Sequence, residues 1–261
     1  MDIETNNLYN EKLELEILNA HERDKNIIFD EEPHIYYING SSDNISITTF
    51  IHTLFPNFDA DNVIDKMQKS KNWTNSQYYG MTKDEIKQKW ENNKVMASTA
   101  GTKMHRDIEL FYNNIKVNNT SIEYSYFNNF LKDFPNLKPY RTEWIVYDKK
   151  YKFAGSIDMV FKNEHNEMII YDWKRCKNIT KENAYENGFP PVDHLPHSNY
   201  WHYALQLNMY KMILEKNYNV KISGLFLLCL HPDNSNYLRF EIPELKHETK
   251  ALFRYRQQYI K

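Results

Sequence analysis

Cysteine is scarce in this sequence, and its apolar runs are short. Two cysteines among 261 residues, Cys176 and Cys229, cannot supply the four thiolates of an iron–sulfur cluster. We expect both to be reduced thiols of an intracellular protein. The apolar run 224–230 is far too short to cross a membrane, so no membrane association is expected. The acidic, polar start of the sequence also lacks the pattern of a signal or transit peptide.

The numbers of positive and negative side chains are also nearly equal, and the formal net charge is -2. Overall charge therefore indicates no nucleic-acid partner, and any surface that binds a polyanion must be a local patch. The segment 63–94 is one candidate, because its lysines alternate with aromatic residues. It is either a solvated helix surface or a surface that follows phosphates and stacks bases. Its lysines are Lys66, Lys69, Lys71, Lys83, Lys87, Lys89 and Lys94, and its aromatics include Trp73, Tyr78, Tyr79 and Trp90.

Turn and capping residues indicate a first region that is mostly helical and contains one short hairpin. Asn39-Gly40 lies between two β-prone runs, which is typical of a hairpin turn. Thr82 and Glu85 form a capping box, which predicts the start of a helix that ends near residue 93. We also expect helices within 1–30 and at 59–73, and we place the end of this region at residue 97.

The rest of the chain, 98–261, has the pattern of an α/β domain. A helix is followed by three strands, a long helix and a further strand, an order typical of a mixed sheet with helices packed on it. The helices are expected at 98–114, 199–216 and 243–260, and the strands at 141–148, 152–162, 167–174, 221–231 and 236–242.

One predicted strand ends on two opposite charges. Because residues two apart on a strand point to the same side, Asp172 and Lys174 share a face while Trp173 points the other way. The pattern Asp/Glu-x-Lys occurs five times, but only the copy at Asp172 closes an apolar strand. Taken alone, the pair is either an ordinary ion pair or half of a metal site.

A second aspartate is expected to face this pair. A polar turn centred near residue 165 joins two strands, so positions whose numbers sum to about 330 lie opposite each other, and Asp158 faces Asp172. Two unpaired carboxylates opposed on a sheet repel each other. A hard divalent cation between them removes this repulsion. A structural ion-pair cluster, in which Lys174 is the only neutralising group, is the alternative.

Gly155 lies inside the same strand as Asp158, three residues earlier. Glycine weakens a strand unless something has to approach the backbone closely. Either a substrate backbone approaches here, or the glycine marks a β-bulge.

These residues resemble the core of the PD-(D/E)XK nucleases, in the branch that holds the RecB nuclease domain, lambda exonuclease and the mitochondrial genome maintenance exonuclease. The match to "GSIDMV" and "IIYDWK" is joined by a Gly-x-x-x-His motif ending at His105 and a Gln-x-x-x-Tyr motif, Gln206 to Tyr210. The four motifs occur in the family's order over about 98–230. This chain departs from the pattern at Arg175, where a small hydroxyl residue is frequent, and it lacks the four-cysteine cluster of some relatives.

The resemblance implies a restriction-endonuclease-like core that hydrolyses phosphodiesters with Mg²⁺ or Mn²⁺. Lys174 would position and polarise the attacking water, a role that needs a lowered pKa. The implied metal ligands are His105, Asp158, Asp172 and the backbone carbonyl of Trp173. Gln206 and Tyr210 would orient the lysine, the water or a phosphate, unless they only form a helix face at the edge of the core. Glu143 matches a glutamate of this branch and would support the ligands. Glu109 either supports them too or is a surface charge. Beyond the resemblance, Gly155, Arg175 and Lys177, with Lys181, are candidate DNA contacts, and a solvated loop is the alternative for the three cations.

We therefore expect a metal-dependent deoxyribonuclease, an exonuclease of DNA replication, repair or recombination. Its partner would be single- or double-stranded DNA with a free end, guided by region 1–97, and replication or recombination proteins are further candidates. The alternatives are an endonuclease or RNA-cleaving nuclease of the same fold, or a nuclease-like DNA-binding module without catalysis. The intact set of His105, Asp158, Asp172 and Lys174 favours catalysis.

Overall fold

A mixed β-sheet with helices on both faces forms the centre of the protein, which confirms the predicted α/β class. The computed structural model describes residues 12–260. Within them are the strands β1 (Ile27–Asp30), β2 (Ile35–Ile38), β3 (Ile45–Ser46), β4 (Lys138–Asp148), β5 (Phe153–Lys162), β6 (Met168–Lys174), β7 (Ile222–Cys229) and β8 (Leu238–Glu241). The helices are α1 (Glu14–Leu18), α2 (Ile47–His52), α3 (Ala60–Gln68), α4 (Lys83–Tyr112), α5 (Ile122–Asp133), α6 (Asn199–Asn217) and α7 (Lys246–Gln257).

The central sheet has six strands, and β1 and β2 form a separate antiparallel hairpin. β3 runs parallel to β5, and β6 runs parallel to β7, whereas the other neighbours are antiparallel. One face packs against α2, α6 and α7, and the other packs against α4 and α5. The central strands are buried on both faces, which explains their nearly continuous apolar sequences. No helix in the described part of the chain is long and apolar enough to cross a membrane.

The two helices predicted on either side of residue 97 are one helix, α4, of 30 residues. The capping box at its start is confirmed, because Thr82 accepts from the Glu85 amide and the Glu85 side chain reaches back to Thr82. The predicted gap after residue 93 was wrong because the sequence there holds no proline or glycine to end the helix. The proposed boundary between 97 and 98 therefore falls inside a helix.

The first region also contributes to the main sheet and its core. The run after Asn44 was predicted to be a strand, but only Ile45 and Ser46 pair with β5. Ser46 then caps α2 by accepting a hydrogen bond from the Thr49 amide at 3.0 Å, so the chain turns into a helix. The Asn39-Gly40 turn is present, with φ of 50° and 81°. The hairpin predicted across it does not form, because β2 pairs with β1 and the run after the turn pairs with β5. Region 1–97 thus shares the main sheet with the rest of the chain.

Two further predictions of helices differ from the structure. The helix expected within 1–30 is limited to the short α1 in the described residues, and positions 1–11 lie outside them. Helix α5 was missed. It begins at an N-cap, Ser121, and buries Phe127 and Phe130 against the sheet.

An interruption on one edge of β5 positions the candidate site. β4 pairs along the whole of the other edge, so β3 and β6 share the interrupted edge. β3 pairs with β5 only as far as Ala154, and β6 pairs only with Met159 to Lys162. Residues 155–158 therefore have no strand partner on that edge. The strand alternation also breaks here, because Ile157 belongs to one core and Met159 to the other. Asp158 lies at this break.

Candidate metal centre

Three side chains meet at the break in β5 in an arrangement that could hold a metal ion. His105 comes from α4, Glu143 from β4 and Asp158 from β5, and their ligand atoms lie within 4.8 Å of one another. His105 Nδ1 lies 3.7 Å from Glu143 Oε1 and 3.6 Å from Asp158 Oδ2. One imidazole nitrogen with two carboxylates is a donor set suited to a divalent cation of the Mn²⁺ or Mg²⁺ type.

Glu143 enters the cluster through an unusual backbone conformation. Its φ of 42° lies in the left-handed region, which is uncommon for a residue with a side chain. The neighbouring pairs of β4 and β5 place Glu143 opposite Asp158, and Ser156 donates a hydrogen bond to its carboxylate at 2.8 Å. Strain of this kind concentrates at functional sites. The structure thus places Glu143 among the candidate ligands, not behind them as the sequence had indicated.

His105 is held as a cation by its two acidic neighbours. Burial by itself would lower the pKa of the imidazole, but the carboxylates of Asp158 and Glu143 outweigh it and raise the pKa to about 9. A metal ion that binds Nδ1 or Nε2 must displace a proton from the ring. Glu143 and Asp158 therefore attract either a proton to His105 or a metal ion to the whole cluster.

The predicted hairpin register of β5 and β6 is confirmed. Met159 pairs with Tyr171 in that register, and the ladder ends there. Beyond it, the Asp158 carboxylate accepts a hydrogen bond from the backbone amide of Trp173 at 2.7 Å. Burial raises the pKa of both Asp158 and Asp172, the latter to about 6, against the opposing charges nearby. The strand end thus concentrates negative charge in a buried place.

Asp172 and Lys174 share a face, as predicted, and form a close ion pair of 2.6 Å between Oδ2 and Nζ. Asp172 is not part of the three-residue cluster, so its role as a metal ligand stays a prediction, as does that of the Trp173 carbonyl. Burial would lower the pKa of Lys174, but Asp172 and Asp158 outweigh burial and raise it. Two carboxylates, rather than an apolar wall, surround the ammonium when no metal ion is bound. The lowered pKa expected for Lys174 near a metal stays a prediction.

The space beside Gly155 is filled by the side chain of Tyr210, which explains why this position has no side chain of its own. A Cβ on Gly155 would lie 2.5 Å from the Tyr210 hydroxyl oxygen. Tyr210 is buried, and this burial raises its pKa well above the usual value, with an opposing hydrogen bond from Gln206. Gln206 also donates to the Thr48 hydroxyl at 3.3 Å. The Gln-x-x-x-Tyr motif therefore packs against β5, the strand that carries Asp158. A DNA backbone that approached Gly155, as predicted, would need the space that Tyr210 occupies.

Replacing Gly155 with alanine is expected to displace Tyr210 and to lower the free energy of unfolding by about 1–3 kcal/mol, the usual cost of overpacking. The measurement is urea unfolding of Gly155→Ala, Tyr210→Phe and the double variant. Tyr210→Phe removes the oxygen at 2.5 Å but keeps a ring carbon at 2.9 Å. The double variant should therefore recover part of the loss and be more stable than the sum of the single effects. Strict additivity would show that the two side chains do not compete.

The predicted DNA contacts after β6 are occupied by acidic partners. Arg175 Nε lies 2.7 Å from Glu123 on α5, and Lys177 Nζ lies 3.0 Å from Asp233. Each contact uses one donor of a guanidinium with five N–H groups or of an ammonium with three, so the role of Arg175 and Lys177 towards phosphates stays a prediction. Glu109 lies one turn after His105 and pairs with Arg106 at 2.6 Å. Burial, and then the charge of Glu143, raises the pKa of Glu109.

A cavity lies next to the cluster on the side of His105 and Glu143. This cavity of about 590 Å³ is walled by α1, the β1–β2 hairpin, α4 and β4. His105 and Glu143 line it together with Glu109 and Phe29. Its volume lies in the range of small-molecule and cofactor sites. Two of the three candidate ligands, His105 and Glu143, are therefore accessible from this cavity.

Sequence reasoning missed two residues of the site. Tyr203 on α6 lies with its ring 4.8 Å from Lys174 Nζ, and Ser156 holds Glu143. Helical periodicity contained the signal for Tyr203, because it lies three residues before Gln206 and seven before Tyr210. No local pattern indicates Ser156, whose role depends on the pairing of β4 with β5.

The two cysteines are free thiols that lie together, with 3.5 Å between the sulfur atoms of Cys176 and Cys229. The hydrogen bond between the two thiols lowers the pKa of Cys176. Two thiols remain short of the four that an iron–sulfur cluster takes. The absence of that cofactor stays a prediction.

Comparison with known proteins leaves the function to be argued from the site. No protein-family model and no curated protein matches the sequence. Among solved structures, the chain is similar to the crystal structure of SSO0001, with 13% identity and a TM-score of 0.34. The alignment covers 85% of this chain and 78% of that one. A similarity of this size carries no inference about activity.

Proposed function

We propose that this protein is a metal-dependent deoxyribonuclease with a restriction-endonuclease-like core of the PD-(D/E)XK type. The observation that carries the proposal is the convergence of His105, Glu143 and Asp158 from three separate elements, next to the charged pair of Asp172 and Lys174. A structural ion-pair cluster has no need of a strained Glu143 backbone or of a cavity at its mouth.

His105, Glu143 and Asp158 would hold the cation, with Asp172 and the Trp173 carbonyl as further candidates. When bound, such an ion polarises the scissile phosphate and lowers the pKa of the attacking water. Lys174, which lies beside Asp172 and Asp158, would stabilise the negative charge that grows on the phosphate oxygens. Asp172 orients that ammonium through their ion pair. Gln206 and Tyr210 fix the strand that carries Asp158.

The direct test is digestion of DNA strands labelled at either end, both single-stranded and double-stranded, with Mg²⁺, Mn²⁺ or EDTA. We expect cleavage with either metal and none with EDTA, because the cluster supplies oxygen and imidazole ligands. RNA of the same sequence and closed circular DNA complete the set. Metal-dependent cleavage confined to RNA would change the substrate class, and binding of DNA without cleavage under every condition would favour a non-catalytic module.

A further inference from the structure

Lys174 has a neighbour that the nuclease motifs do not include. The centroid of the Tyr203 ring lies 4.8 Å from Nζ, within the range of a cation–π interaction. The Lys174 side chain is only 18% exposed, and the Tyr203 ring is half-buried. Attraction between a cation and an aromatic face is strongest where water is excluded. The contact between Lys174 and Tyr203 therefore lies where little water weakens the attraction.

A lysine side chain needs more than one fixed point to hold its ammonium still. Four rotatable bonds lie between its backbone and Nζ, and the ion pair with Asp172 supplies one constraint. The face of Tyr203 supplies a second. We propose that Tyr203 is a positioning residue, whose ring fixes the Lys174 ammonium beside the metal centre. This inference rests on the proposed nuclease function, in which that ammonium meets the scissile phosphate.

The ring, rather than the hydroxyl group, carries this role. Burial raises the pKa of Tyr203 to about 12, so the side chain is neutral and attracts the ammonium through its aromatic face alone. Phenylalanine keeps that face, and leucine removes it while remaining apolar. Tyr203→Phe and Tyr203→Leu therefore separate the proposed role from simple filling of space.

The experiment measures kcat and KM of DNA cleavage for both variants. We expect Tyr203→Leu to lower kcat about tenfold, with KM little changed, which corresponds to the loss of one desolvated cation–π contact. Tyr203→Phe should retain the wild-type kcat. The matched control is Tyr151→Leu, which removes another ring near a lysine, 4.7 Å from Lys216 Nζ at the turn between β4 and β5. It should leave kcat unchanged.

Two outcomes overturn the inference: a wild-type kcat in Tyr203→Leu, or an equal loss in Tyr203→Phe, which would assign the role to the hydroxyl. Thermal unfolding checks the fold, and Tyr203→Met replaces the leucine variant if that one unfolds. Labelling of Lys174 with an amine-reactive reagent, measured by mass spectrometry, needs no activity. It should rise in Tyr203→Leu but not in Tyr203→Phe, and equal labelling would contradict the role even if the wild type cleaves no DNA.

Discussion

Asp158→Asn is expected to abolish metal-dependent DNA cleavage, with a loss on the order of a thousandfold, while the protein stays folded. His105→Ala and Glu143→Gln should act in the same way, because each removes one of three ligand atoms that lie within 4.8 Å. Binding of Mn²⁺, measured by calorimetry, should be lost together with cleavage. Asparagine can still accept the hydrogen bond from Trp173, so the strand end is kept.

The fold gives a sharp control for these variants. Asp107 lies on the same helix as His105, but its carboxylate is paired with Lys103 at 2.6 Å and is no member of the cluster. Asp107→Asn should therefore cleave DNA and bind Mn²⁺ like the wild type. Normal cleavage by Asp158→Asn would remove the metal centre from the proposal. Normal cleavage by Glu143→Gln alone would return Glu143 to a supporting role.

Closed circular single-stranded DNA is expected to survive conditions that degrade the linear form of the same sequence. The reason is the arm, which we define as α3 and the part of α4 up to residue 99. Residues 91–99 are exposed on every side, so this part of α4 projects from the core just before His105. Lys83 and Lys87 pair with Asp65 and Asp61 and join the two helices. We expect the DNA strand to pass between the arm and the metal centre, where it would have to enter by an end.

Lys66 on α3, with Lys69 and Lys71 in the segment that joins α3 to α4, also predicts how DNA binding depends on salt. Within the described residues, Lys66, Lys69 and Lys71 have no carboxylate within 4.0 Å and are free to meet phosphates. Replacing all three with glutamine should weaken DNA binding and flatten its dependence on salt. Lys94→Gln is the matched control because its ammonium is already paired, with Glu91 on the same helix. In the comparison of circular with linear DNA, equal degradation of the two forms would contradict threading and indicate an endonuclease. Linearising the circle should restore its degradation.

Local patterns were enough to predict the centre of the site. The turn near residue 165 determines the register of β5 and β6, because a short hairpin leaves few ways to pair its strands. The two-residue period of a strand places Asp172 and Lys174 on one face. The capping box at Thr82 needs only four consecutive residues. Each of these features depends on neighbours in the sequence, so each can be predicted from it.

What the sequence by itself determined is therefore the class of fold, the strand end at Asp172 and the helix start at Thr82. Only the tertiary structure decided that Glu143 joins His105 and Asp158, since this depends on an uncommon φ and on the pairing of distant strands. It also decided that Tyr210 occupies the space beside Gly155. The raised pKa of Lys174 has the same origin, because the charge of a buried group depends on the carboxylates that folding brings around it.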